Sequence, residues 1–221
     1  MIAMPPGAGV RLSAAGSQFS LPLWLYWVEI AREQAALSKK HRPSNETLDA
    51  LSATLIGEER ERPDESEKEA RQETFSALIA VTAAAFSLDA FYGSVKPLVK
   101  PPANKSARER QILECLKLGF KVGRHTARWQ RELDWLFETR RNAVHHSEKF
   151  KPTVVVRTTN ETLVAGGPET FNFSADSAER AATFASELIQ TCLDNPKPAT
   201  QEWAEMRLDA QEKVARAGGS S

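Results

Sequence analysis

The stretch FSALIAVTAAAFSLDAF, residues 75–91, decides the fold class. It is apolar nearly all round and rich in alanine, so a helix built from it belongs in the interior, closely packed by neighbouring helices. Asp64 or Ser66 can cap this helix at its start. A helix usually ends at a glycine or before a proline, which places its end at Gly93 or just before Pro97. The stretch therefore predicts a long central helix in a helical bundle.

Other parts of the chain repeat apolar residues at helical spacing. This pattern predicts further helices over about 20–39, 44–57, 106–120, 126–146 and 174–192. Residues 200–216 have only a narrow apolar stripe, which we expect to pack loosely or to lie against a partner. Between the last two long helices the period changes to β-branched runs, which predicts a small β-hairpin at about 153–173. The expected fold is mainly all-α, with about six helices and this hairpin.

Length and charge limit the domain organisation and the kinds of partner. The chain has 221 residues and equal numbers of basic and acidic side chains, 29 each, so no overall attraction to polyanions is expected. We expect a disordered lead at 1–16, one helical domain at 17–195, and a C-terminal helix with a flexible tail at 196–221. The most apolar runs, 21–28 and 78–88, are shorter than the ~18–20 residues of a membrane span, and no membrane is expected.

Several familiar chemical signatures are missing from the sequence. Cys115 and Cys192 lie in apolar helical patterns without a CxxC spacing, which predicts buried thiols in the reducing cytoplasm. The chain has no glycine-rich phosphate loop, no HExxH and no GxSxG. Its four histidines are not spaced as metal ligands. Neither a cofactor nor a metal site is expected.

The segment 140–146 ends the predicted helix over 126–146 and reads Arg140, Arg141, Asn142, Ala143, Val144, His145, His146. It resembles the RNxxxH, or Rx4-6H, motif of the HEPN (higher eukaryotes and prokaryotes nucleotide-binding) superfamily. Two registers fit, one from Arg141 and Asn142 to His146, the other from Arg140 to His145. The sequence does not choose between them. The order of helices over about 67–195 resembles that superfamily as well.

The resemblance implies a metal-independent endoribonuclease with a toxin or defence role. Arg140 or Arg141 would hold the phosphate, and His145 or His146 would move protons. Asn142 would position a neighbour or donate to phosphate. The resemblance also implies RNA as substrate, a homodimer that brings two motifs to one cleft, and a protein antitoxin or regulator as partner.

Helical geometry qualifies both registers, because residues five apart lie ~140° from one another on a helix and residues four apart only ~40°. Arg141 with His145, or Asn142 with His146, therefore converge most easily. A plainer interpretation remains open, since basic side chains near a helix C-terminus also compensate the helix dipole. The protein would then be a non-catalytic helical module for dimerisation or partner binding.

Two further features allow either a functional or a structural interpretation. Asp89 is a lone acid in the apolar helix, which would either orient the motif or mark an exposed edge. A group of basic residues surrounds the proline-rich loop near residue 100, where it would either extend a phosphate-binding surface or be solvated. This group consists of Lys96, Lys100, Lys105, Arg108 and Arg110.

Overall fold

The structure, a computed structural model, is described here for residues 10–14, 17–44, 65–101, 106–145, 154–157, 162–165 and 173–208. Six α-helices lie in this part of the chain: α1 (Leu23–Lys40), α2 (Glu65–Val99), α3 (Arg108–Gly119), α4 (Thr126–His145), α5 (Ala175–Asp194) and α6 (201–208). Short 3-10 helices at Gly123–His125 and Pro198–Thr200 precede α4 and α6. The prediction of an all-α bundle is confirmed.

Four short strands accompany the helices. β1 (Val10–Ala14) pairs antiparallel with β2 (Ser17–Leu21), although residues 10–14 belong to the segment expected to be a disordered lead. β3 (Val154–Arg157) pairs antiparallel with β4 (Thr162–Ala165), with Val154 opposite Ala165. The residues that would join β3 to β4 lie outside the described part, so the hairpin at 153–173 stays a prediction. The same holds for the disorder of the rest of the lead.

Helix α2 extends to Val99, beyond both positions predicted for its C-terminal end, Gly93 and the residue before Pro97. The prediction of its end was therefore wrong. Pro97 lies inside the helix and has no N–H to donate to the Gly93 carbonyl four residues earlier. Gly93 is exposed, and water can satisfy that carbonyl. Packing holds the last turn, because Val95 is fully buried and the Lys100 N–H donates to the Lys96 carbonyl at 3.0 Å. Tertiary contacts therefore override the local stop signal.

Helix α2 also bears on the question of membrane spans. Between Lys68 and Val99 it contains an 18-residue window whose length and composition would suit a membrane span, which the shorter run at 78–88 did not suggest. Of that window, 56% is buried inside the protein. The core helix of a bundle meets the same criteria, so this window is weak evidence for a membrane span.

Internal contacts divide the chain into two compact units, where the sequence suggested one domain. The first unit contains Met1–Val28, Ala85–Phe137 and Phe184–Ser221, and the second contains Glu29–Ala84 and Glu138–Thr183. Four long helices, α1, α2, α4 and α5, contribute residues to both units.

An aromatic cluster forms part of the core of the first unit. Phe91 of α2 contacts Trp24 edge to face at 5.5 Å between ring centroids, and it stacks on Phe120 at 6.0 Å. Trp203 of α6 packs against Phe91 and Phe120 at 5.7 and 6.5 Å. Ala204, the next residue of α6, is fully buried. The first turn of α6 therefore belongs to the core, and the expectation of loose packing is corrected for these residues.

The segment before α6 is fixed to the end of α3 by backbone pairing. The Lys121 N–H donates to the Asn195 carbonyl at 2.8 Å, and the Lys197 N–H donates to the Gly119 carbonyl at 2.9 Å. The Thr200 hydroxyl adds a bond of 2.6 Å to the same Gly119 carbonyl. Residues 196–208 therefore form part of the first unit, although the sequence placed a boundary at 195.

The second unit is built around the alanine-rich half of α2, where Ala77, Ala80 and Ala84 are fully buried. Small side chains let neighbouring helices approach closely, as the sequence predicted. The end of α1 lies beside α2, because the Ser38 hydroxyl donates to the Glu73 carbonyl at 2.9 Å. The helix predicted over 44–57 falls almost entirely outside the described residues.

Candidate functional site

Helix α4 carries the segment 140–146 at its C-terminal end. Its buried face contains Trp129, Leu133 and Leu136, at steps of four and three residues, together with Phe137, four residues after Leu133. This apolar stripe fixes the rotation of the helix about its axis, because burial of that face decides which side meets solvent. The predicted start of the helix is confirmed.

The rotation of α4 separates the two arginines of the segment. Arg140 follows Leu136 by four residues and therefore continues the buried stripe at the helix end, where it is half-buried. Arg141 is exposed, and Asn142 is half-buried. Both arginines have interaction partners within the protein. His145 is the last helical residue, and His146 lies outside the described residues.

This arrangement bears on the two registers. Arg141 and His145 are four residues apart, so their backbone positions lie ~40° from one another on α4, whereas Arg140 and His145 lie ~140° apart. The helix therefore favours Arg141 over Arg140 as the partner of a histidine at position 145. The other register runs from Arg141 and Asn142 to His146, and His146 lies outside the described residues.

Asp89 has a partner within the first unit. The Arg108 Nε donates to the Asp89 carboxylate at 2.6 Å, and this side chain keeps 22% of its surface exposed. The Arg108 guanidinium also lies over the Tyr92 ring, 4.2 Å from its centroid. These contacts support a structural role for Asp89. They also show that Arg108 is not a freely solvated cation.

The basic group near residue 100 is otherwise a solvated surface. Lys96, Lys100 and Arg110 are exposed, and Lys105 lies outside the described residues. The Lys96 ammonium lies 5.7 Å from the Tyr92 ring centroid. The exposure of Lys96, Lys100 and Arg110 favours the interpretation of a solvated loop and first helical turn.

The two cysteines are buried and free, as the sequence predicted. Burial raises the pKa of the Cys115 thiol to about 11, although Lys96 and Arg108 act in the opposite direction. Burial, and secondarily the nearby Cys115, raises the pKa of Cys192 well above its usual value. Thiols held in the protonated form are poor nucleophiles, so neither is a candidate for catalysis.

His125 is positioned by contacts at the start of α4. Its ring stacks on Trp129 at 5.4 Å between centroids, and its Nε2 accepts a hydrogen bond from Arg124 Nε at 3.0 Å. This half-buried ring therefore packs against the first turn of α4. Over the described ranges, no group of three histidine, cysteine or acidic side chains could hold a metal ion.

Arg207 is a residue that no sequence pattern indicated. It lies on the partly buried side of α6, and its guanidinium is 5.8 Å from the centroid of the Trp203 ring. No motif identifies such a residue, because its burial depends on the docking of Trp203 against α2 and on the residues that follow α3.

Comparison of the chain with protein-family models, with curated proteins and with solved structures found no match.

Proposed function

We propose that the protein is a metal-independent endoribonuclease of HEPN type. The observation that carries the proposal is the exposed position of Arg141 at the C-terminal end of a helix in an all-α fold, four residues before His145. An exposed guanidinium can contact two oxygens of a phosphate group at once. The histidine positions that follow would supply groups that exchange protons near neutral pH.

The proposed reaction is an internal transfer followed by loss of the 5′-oxygen. One histidine, at 145 or 146, removes the proton of the ribose 2′-hydroxyl, whose oxygen attacks the adjacent phosphorus. A second histidine donates a proton to the departing 5′-oxygen, so the products are a 2′,3′-cyclic phosphate and a 5′-hydroxyl. Arg141 stabilises the charge that develops on the phosphate oxygens, and Asn142 positions a neighbouring group.

A homodimer would provide the second histidine from a second copy of the segment. RNA as substrate, a protein antitoxin or regulator as partner, a toxin or defence role and a cytoplasmic location all belong to this same proposal. They rest on the resemblance of the segment 140–146 together with the helical fold that surrounds it.

The test is cleavage of a mixed RNA substrate in excess EDTA. The wild-type protein is compared with the double variant His145→Ala/His146→Ala and with Arg141→Ala. We expect the wild type to leave 2′,3′-cyclic phosphate ends, the double variant to lose at least ~100-fold in rate, and Arg141→Ala to lose a comparable factor. Circular dichroism and thermal unfolding would show that each variant keeps its fold.

His41→Ala is the matched control, because His41 lies just after α1, outside the segment 140–146. Its cleavage rate should equal that of the wild type. Equal rates for the double variant and the wild type would assign any observed cleavage to a contaminating nuclease. The absence of cleavage in every protein would leave a non-catalytic helical module as the remaining function.

A further inference from the structure

Arg207 is a partly buried charge without a polar partner among the described residues. Its Nε is fully buried and has no hydrogen-bond acceptor there, and the residue as a whole is only partly exposed. Burial lowers the pKa of the Arg207 guanidinium below its usual value. Among the described residues, Arg207 is therefore a partly desolvated cation without a compensating polar group.

Such an arrangement costs stability in the absence of a partner. A charge that leaves water loses hydration energy, which only an opposite charge or hydrogen bonds can restore. The contact with the Trp203 ring restores little, because a separation of 5.8 Å is close to the ~6 Å limit of cation–π attraction. Arginine remains protonated at any ordinary pH, so it cannot avoid this cost by losing its proton.

The acidic residues of α6 do not supply the missing partner. Glu205 precedes Arg207 by two residues and Glu202 by five, so each lies ~140–160° away around the helix. Both are exposed, and Glu205 accepts a hydrogen bond from Gln201 Nε2 at 2.6 Å. An acceptor for Arg207 would have to come from elsewhere.

The surroundings of Arg207 are apolar. Trp203 is half-buried one turn earlier on α6, and the adjacent Met206 has 57% of its surface exposed. The exposed methionine and the half-buried tryptophan thus place apolar surface beside the guanidinium group.

We propose that Trp203, Met206 and Arg207 form a binding site for an organic carboxylate whose apolar part lies against the tryptophan and the methionine. A guanidinium matches the two oxygens of a carboxylate, and the single negative charge is neutralised by the single cation. A phosphate monoester carries about −1.5 to −2 charges at neutral pH, which would leave charge uncompensated in an apolar site. The proposal is independent of ribonuclease activity.

The first test is a titration of the ¹⁵N-labelled full-length protein with benzoate, followed by NMR. The side-chain Nε–H signal of Arg207, assigned by its disappearance in Arg207→Met, should shift and saturate with a dissociation constant on the order of 1–10 mM. Benzamide, a neutral compound of the same shape, should cause no saturable shift. Equal shifts with both compounds, or no shift with benzoate, would overturn the proposal.

A second pair of probes distinguishes the sources of the carboxylate. N-acetylphenylalanine imitates the C-terminus of a protein chain, and N-acetylphenylalanine amide is its neutral counterpart. Tighter binding of N-acetylphenylalanine than of benzoate would assign the site to a protein C-terminus, and the opposite order would assign it to a free acid. Arg207→Lys keeps the charge but loses the planar fork, so it should weaken benzoate binding about 10-fold, as one lost charge-assisted hydrogen bond does.

Thermal unfolding without any probe gives an independent test. Arg207→Met removes the uncompensated charge and keeps an apolar stem, so the midpoint should rise by about 2 °C. Arg110→Met is the matched control, because Arg110 is exposed in the same unit, and its midpoint should not change. A lower midpoint for Arg207→Met would show that the guanidinium is already compensated in the free protein, which contradicts the proposal.

Discussion

Gly119, the last residue of α3, is a position where close packing leaves no room for a side chain. A β-carbon there would lie 3.1 Å from Thr200 Cγ2 and 3.2 Å from Val99 Cγ1. These contacts are shorter than ordinary van der Waals separations, so either the side chains or the backbone must move. The glycine therefore allows α3 to approach both the end of α2 and the segment before α6.

Substitution of two glycines by alanine should change stability in opposite directions. Gly119→Ala gains helix propensity but overpacks the junction, so the free energy of unfolding should fall by about 1–2 kcal/mol. Gly93→Ala is the matched control, because nothing lies within 4 Å of its added β-carbon and the helix interior favours alanine. Its free energy of unfolding should rise by about 0.5–1 kcal/mol. Urea unfolding measures both values, and a stabilised Gly119→Ala would show that the junction yields easily.

The segment 140–146 was identified from the sequence, but Arg140 was not distinguished from Arg141. That distinction depends on how α4 is rotated, which the burial of Leu133 and Leu136 establishes in the folded protein. The apolar spacing of α4 contained this information, since Arg140 continues the step of four from Leu136. Arg207 could not have been found in the same way, because the partners of α6 are distant in sequence.

Among the helices, α5 shows how the second unit secures a helix N-terminus. The Ser177 N–H donates to the Ser174 hydroxyl at 3.4 Å, and the Ser174 N–H donates to the Ser177 hydroxyl at 2.9 Å. The Ala175 N–H donates to the Glu73 carboxylate at 2.9 Å. A carboxylate at this end of a helix also meets the positive pole of the helix dipole. Glu73 therefore links α2 to α5.

Replacement of Glu73 by alanine should weaken this junction. The variant leaves the Ala175 N–H without its acceptor and removes the favourable charge, so we expect a loss of about 1–2 kcal/mol in the free energy of unfolding. Glu69→Ala is the matched control, one turn earlier on α2, where the side chain is exposed. Its effect should stay within about 0.5 kcal/mol. Equal effects of both substitutions in urea unfolding would contradict a capping role.

The elements differ in how well the sequence predicted them. The start of α5 near residue 174 was predicted, because serine before an apolar periodic run is a local signal of a helix N-terminus. The acceptor from Glu73 was not, since it comes from a residue about a hundred positions away. The end of α2 was predicted wrongly for a similar reason, because Val95 packs against a distant part of the chain.

Over the whole molecule, composition predicted the fold class, and packing decided how residues 196–208 join the first unit. The alanine-rich stretch at 75–91 was sufficient to predict an all-α bundle, because only close helix packing buries such a sequence. The boundary at 195 was inferred from the weak apolar stripe of residues 200–216. Within residues 200–208, however, the aromatic side chain of Trp203 packs on Phe91 and Phe120.

Truncation therefore distinguishes the sequence boundary from the structural one. A chain that ends at residue 195 loses Trp203 from the aromatic cluster and the Thr200 hydrogen bond to Gly119. Loss of a packed tryptophan costs about 3–5 kcal/mol, and each kcal/mol lowers the unfolding midpoint by roughly 2–4 °C in a chain of this size. We expect the midpoint to fall by about 10 °C or more. A chain that ends at residue 208 is the matched control and should unfold close to the full-length midpoint; equal midpoints for both truncated chains would mean that residues 196–208 add little to the first unit.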